Sequence, residues 1–263
     1  RARILHCKDM TGKEINSKLI ARVKELKNVS ILENSTLVDL LVAGDRCHGA
    51  VLRDQAGKLS NVYAQSTLLA TGGIGGLFSK TTNFAHLTGD AIAIALKHGI
   101  RVKDLDYVQI HPTSLYTGRS GRAFLMSESL RGEGAILVGK DGQRFADELL
   151  PRDLLTKAIY TQMEKDRLPY VRMLLKGHVE GSIAGRFPGI HAHCLQEGYD
   201  LVEDYIPIVP AQHYFMGGIA VDLNSKTSLA NLYAAGETSC NGVHGKNRLA
   251  SNSLLESLVF SKR

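Results

Sequence analysis

The chain has 263 residues, 44% hydrophobic and 22% charged, a globular make-up with length for one large domain or two ordinary ones. Its formal net charge of +6 comes from dispersed Lys and Arg, and aromatic residues are only 6%, which argues against a nucleic-acid surface. No apolar run is long enough to cross a membrane and RARILHCKDM lacks signal-peptide character. Cys7, Cys47, Cys194 and Cys240 show no C-x-x-C spacing, which fits reduced thiols in a cytoplasmic protein.

Thr11 and Glu14 have capping-box spacing, and Ile15, Leu19, Val23 and Leu26 recur at helical spacing, so an amphipathic helix is predicted to end near Asn28. Strand-like runs follow at Ser30–Leu32, Thr36–Ala43, Gly49–Arg53 and Leu59–Ala64, the last two separated by the turn at Asp54–Gly57. They describe a small meander. Thr67–Thr71 reads as a buried strand running into Gly72-Gly73-Ile74-Gly75-Gly76, where glycines let a backbone or ligand come close. A second helix is predicted from Asp90, burying Ile92, Ala95 and Leu96 and stopping at Gly99.

From Tyr107 to His213 the texture changes, becoming dense in His, Arg and acid. Asp141-Gly142 marks a hairpin between Ala135–Gly139 and Arg144–Ala146, and a helix opens near Arg152 with Leu154, Leu155, Ala158, Ile159 and Met163 on its apolar side. Arg152 is a cation in a first turn, where the helix dipole disfavours it, and such local conflicts mark functional sites. His191, His193 and Cys194 crowd together without a regularly spaced fourth ligand, so no metal is expected. Ile206–Pro210 reads as an extended connector into Gln212–Gly218.

The last stretch is the most informative. Asn231–Ala235 reads as a short buried strand, Gly236 frees the backbone, and Glu237 offers a carboxylate beyond the strand end, as dinucleotide folds do for ribose hydroxyls. Ser253 and Glu256 have capping-box spacing ahead of Leu254, Leu255, Leu258 and Val259, predicting a helix whose first N–H groups suit an anionic ligand.

AAGE followed by VHGKNRLASNSLLESLVF resembles the flavin-site signature of the fumarate reductase and succinate dehydrogenase flavoprotein family. The closest likeness is to the branch that oxidises L-aspartate. HPTSL at 111 to 115, the short path from RGEGA to PRD and RLASNSLLES carry that preference, while HYFMGG, with Met216, is similar to the dehydrogenase form.

The resemblance implies an α/β (α+β) fold: part of a Rossmann-like FAD-binding domain over 1–106 and 214–263, interrupted by an α+β capping domain over 107–213. It implies FAD contacts from Gly72, Gly73, Thr81, Asn83, Asp90, Glu237, Ser253 and Leu254. Substrate carboxylates would be bound by His111, His213 and Arg248, Ser127 and Glu128 would line the pocket, and Arg152 would transfer the proton. Arg131 joins these as a candidate cation. The expected partners are a small dicarboxylate, L-aspartate or fumarate, and a functional link to quinolinate synthase. The alternatives are a succinate- or fumarate-specific flavoprotein subunit and an inactive fragment without flavin. G-x-G-x-x-G after a first strand is absent, so the chain is read as a fragment lacking that segment and a C-terminal helical region.

Overall fold

The computed structural model describes residues 6–263; residues 1–5, part of the opening read above for a signal peptide, lie outside the described residues. The chain forms two compact units. One joins the segment ending at Ile31 with His111–Ala211, and the other joins Leu32–Ile110 with Gln212–Arg263. An α+β segment is thus inserted between two stretches of an α/β unit.

In the inserted unit, the strand Val171–Leu174 runs antiparallel to both Ile136–Val138 and Ile206–Phe215. Over this sheet lies a core of Leu130, Leu137, Leu155, Ile159, Met173 and Ile206, each with no exposed surface. The helix Arg152–Asp166 supplies Leu155 and Ile159, spaced four apart on one face, while Leu154, expected there too, is half exposed. Ile206–Pro210 is not a connector but the start of a ten-residue buried strand. Pro207 has no N–H to give, but its carbonyl accepts from Tyr116 N at 2.9 Å.

The helix Thr11–Lys24 stops earlier than predicted and buries none of its residues among those described. Thr11 does not cap it: its hydroxyl accepts from Cys7 N at 3.0 Å, outside the helix. Ser30–Leu32 forms no strand.

In the second unit, Thr36–Ala43, Arg46–Arg53 and Leu59–Tyr63 form the expected antiparallel meander. Thr67–Leu69 pairs in parallel with Leu232–Ala234, far away in sequence, and the helix Asp90–Lys97 covers the core with Ala91, Ile92, Ile94 and Ala95. Leu96, predicted to be inside, is 55% exposed, because the buried stripe runs through 91, 92, 94 and 95.

The helix Asn252–Phe260 departs furthest from expectation. Its N-cap is Ser251, in the left-handed region at φ 68°, and makes no side-chain cap. Ser253 lies inside the first turn, so no capping box forms. Leu255, Leu258 and Val259 are exposed, and the buried residues are Glu256 and Phe260. Glu256 is buried because three donors from elsewhere in the unit converge on it.

Candidate active site

Two parallel strands ending side by side create the first part of the site. The Gly72–Gly76 loop leaves the C-terminal end of Thr67–Leu69, and the turn Gly236–Thr238 leaves the matching end of Leu232–Ala234. Open α/β sheets bind ligands beyond such carboxyl ends. Ala235 N donates to Leu69 O at 3.0 Å, continuing the pairing by one residue, and the Thr71 and Thr238 hydroxyls meet at 2.9 Å.

Glu237 sits at this junction. Its Oε1 accepts from Phe215 N at 2.9 Å, and a Cβ added to Gly73 would stand 2.6 Å from the same oxygen. Only glycine at 73 permits that approach. Burial pushes the Glu237 carboxyl up to about 7, partly offset by the Phe215 N–H and Arg248, with Glu256 adding to the rise. A carboxyl raised in the folded state takes up its proton more readily there than in the unfolded chain. Its stabilising contribution is therefore complete below the ordinary carboxyl range and disappears as pH rises through about 7. We expect the flavin-free protein to lose roughly 2–3 kcal/mol more between pH 5 and 8 than a Glu237→Gln variant, measured by urea unfolding. Parallel pH profiles for the two proteins would exclude this.

Ser253 and Leu254 are the second and third residues of the Asn252–Phe260 helix, which packs against the Gly236–Thr238 turn; a Cβ at Gly236 would lie 3.5 Å from Ser257 Oγ. Asp90 is exposed in the first turn of its own helix, where it accepts from the Thr88 hydroxyl at 2.8 Å. Thr81 and Asn83 are placed differently. The Thr81 hydroxyl donates to Gln212 Oε1 at 2.6 Å and accepts from Asn83 N at 3.0 Å, while Asn83 Nδ2 donates to His213 O at 3.1 Å. These two residues hold the strand carrying His213, and Thr82 Oγ1, 2.7 Å from His213 Nδ1, fixes the ring.

Arg248 belongs to the same unit. It is 4% exposed, its Cζ lies 4.4 Å over the Tyr214 ring, and its Nη1 donates to Leu249 O at 3.2 Å. Gln109 Nε2 donates to Arg248 O at 2.8 Å and Asn247 Oδ1 at 2.9 Å, pinning the backbone on which the guanidinium is carried.

The inserted unit carries the remaining candidates. His111 lies on the strand Val108–Leu115 and is 1% exposed. Its Nδ1 is 2.9 Å from Thr113 O and 3.2 Å from Thr113 N, so the ring is held by its own strand. The Thr113 hydroxyl donates to Met126 O at 2.8 Å, tying that strand to the segment with Ser127 and Glu128. Ser127 caps the short helix Glu128–Gly132 by accepting from Ser129 N at 3.2 Å.

Glu128 joins two arginines. Its Oε2 accepts from Arg152 Nε at 3.0 Å and Nη2 at 2.9 Å, and lies 3.8 Å from Arg131 Nη2. Burial lowers the Arg131 guanidinium below its ordinary range and nearby Arg152 adds to that, while Glu128 and Glu148 oppose it. Glu148 is taken by Arg144 Nη2 at 2.5 Å and by Leu137 N at 2.7 Å.

No group of three or more His, Cys, Asp or Glu side chains that could hold a metal ion occurs among the described residues. His193 stacks on Phe124 with centroids 3.8 Å apart, and burial pushes the Cys194 thiol up to about 12, which opposes thiolate ligation.

The sequence profile of the FAD-binding domain family matches residues 1–254. The chain belongs to that family. The acidic residue beyond the parallel strand end, the glycine that admits it and the helix packed on its turn fit the family's cofactor, FAD. Among curated relatives, L-aspartate oxidase of Clostridium perfringens is 52% identical over 262 residues, 99% of this chain and 60% of its own length. L-aspartate oxidase of Clostridium acetobutylicum is 51% identical with the same coverage. The chain thus spans about 60% of the length of these relatives. A solved E. coli quinol fumarate reductase variant superposes with TM-score 0.90 at 32% identity, covering 99% of this chain and 48% of that one. A flavocytochrome c3 fumarate reductase gives TM-score 0.71 at 26% identity, with 96% and 54% covered. The Rossmann-like α/β architecture interrupted by an α+β insertion is that of these flavoproteins.

Tyr214, Asn241, His244 and Glu256 were missed as a group by the reading of the sequence. The available signal, the spacing of Ser253 and Glu256, pointed to a helix cap instead.

Proposed function

We propose that the protein containing this chain oxidises L-aspartate to iminoaspartate, with oxygen or fumarate as the final electron acceptor. The similarity to L-aspartate oxidases along 99% of the chain carries this reading. Bound FAD supplies the hydride acceptor. Gly72, Gly73, Thr81, Asn83, Asp90, Glu237, Ser253 and Leu254 would hold it, and Thr81 and Asn83 also support the strand that carries His213.

The protein's own task is to fix a dianionic substrate and manage a proton. His213, Arg248 and His111 are each suited to a carboxylate because each is held by fixed neighbours, so little ordering is needed on binding. Ser127 and Glu128 would line the pocket. Arg152 would exchange the proton, delivering it to carbon when fumarate is the substrate. Glu128, bonded to both Nε and Nη2 of Arg152, is a carboxylate through which that proton can be replaced. In this reading residues 107–213 serve as the capping domain. The unstable imine calls for a consuming enzyme, for which quinolinate synthase in NAD synthesis is the candidate, and the setting is cytoplasmic. No described helix is long and apolar enough to cross a membrane.

The TM-score of 0.90 to a quinol fumarate reductase favours a second reading, a fumarate- or succinate-specific flavoprotein. Anaerobic addition of substrate to the full-length, FAD-loaded protein separates them. Loss of oxidised-flavin absorbance with L-aspartate and not with succinate is expected. Bleaching by succinate alone would replace the first reading with the second.

A further inference from the structure

One buried carboxylate outside the set assigned above has an unusual number of partners. Glu256 is 4% exposed. Its Oε2 accepts from the Tyr214 hydroxyl at 2.7 Å and is 2.7 Å from His244 Nε2, and its Oε1 accepts from Asn241 Nδ2 at 2.7 Å. The Tyr214 and His244 rings also meet edge to face, with centroids 5.5 Å apart at 87°.

These partners converge on Arg248. Tyr214 is the ring over which the Arg248 guanidinium is stacked, and Asn241 and His244 lie on the loop that leads to it. Glu256 therefore fixes the far end of the aromatic platform and two points of the approaching loop at once. Gln109 holds the loop's other end through Arg248 O. A carboxylate oxygen accepts only, so all three donors are satisfied together. An amide at this position would set its own N–H group against at least one of them.

We propose that Glu256 is a positioning residue for Arg248, acting through Tyr214 and the 241–248 loop to hold the guanidinium plane for a substrate carboxylate. This rests on the reading of Arg248 as a carboxylate-binding residue. A planar, two-pronged donor loses selectivity when its plane is free to turn, so the effect falls on dicarboxylate affinity and not on flavin retention.

A double-mutant cycle in the full-length, FAD-loaded protein tests it, with malonate as an unreactive dicarboxylate and its Kd read from the change in flavin absorbance. Arg248→Ala is expected to weaken malonate by about 100-fold and Glu256→Gln by about 10-fold, while the double variant binds within about twofold of Arg248→Ala alone. Flavin content should stay at the wild-type level throughout. If the two effects multiply, Glu256 does not act through Arg248 and the proposal is overturned while Arg248 keeps its role. If Arg248→Ala leaves malonate affinity unchanged, the carboxylate role of Arg248 fails and the positioning role fails with it. Tyr214→Phe keeps the ring and removes one donor, so it serves where Glu256→Gln does not fold. Its expected loss of about fivefold must likewise vanish in the Arg248→Ala background, and persistence there overturns the proposal.

Discussion

Arg152→Met is expected to lower turnover of fumarate by about 10³-fold or more, with FAD retained and dicarboxylate affinity changed only a few-fold, since removal of a positioned proton donor typically costs 10²–10⁴. The argument begins with the helix Arg152–Asp166, whose first residue is a cation where the dipole disfavours one. The local cost is offset by Glu128, which takes both Nε and Nη2. Methionine keeps the stem volume and removes every donor. Because the lost group acts on a proton in the transition state, kcat and kcat/KM should fall together. Arg152→Lys should recover little, since a single ammonium cannot reproduce two bonds to one carboxylate oxygen from a planar fork. Stopped-flow reoxidation of reduced flavin by fumarate measures the step directly. A rate within tenfold of wild type would remove Arg152 from proton transfer.

Arg248→Ala should behave differently, raising KM for L-aspartate by about 100-fold with a smaller change in kcat, as expected for loss of a charge-assisted pair made in ground and transition states alike. The residue's setting supports this split. Its guanidinium is buried against Tyr214 and its backbone is held by Gln109, so truncation removes a fixed cation without releasing the loop. Steady-state kinetics in L-aspartate give the answer, and a fall in kcat at unchanged KM would assign Arg248 to chemistry instead of binding. Together the two variants separate the proton from the carboxylate, roles that similarity alone leaves joined.

Much of this was legible in the chain. Short-range signals worked wherever the deciding interactions are local: the meander from Thr36 to Tyr63 follows from alternation and the Asp54–Gly57 turn, whose Gly57 N donates to Asp54 O at 3.0 Å. The helices at Asp90 and Arg152 start where their patterns begin. The junction of Gly73 and Glu237 was legible as two separate motifs, a glycine run after one strand and an acid after another.

The sequence by itself determined the meander, the helices opening at Asp90 and Arg152 and the flavoprotein family, because these depend on local periodicity and on long residue-specific strings. Only the tertiary structure decided their partners. Parallel pairing of Thr67–Leu69 with Leu232–Ala234 brings Gly73 to the Glu237 carboxylate, a contact between residues more than 160 positions apart with no local trace. The same holds for Glu256, whose spacing from Ser253 imitates a helix cap. A buried carboxylate goes where the most donors meet, and Tyr214, Asn241 and His244 outcompete one helix N–H.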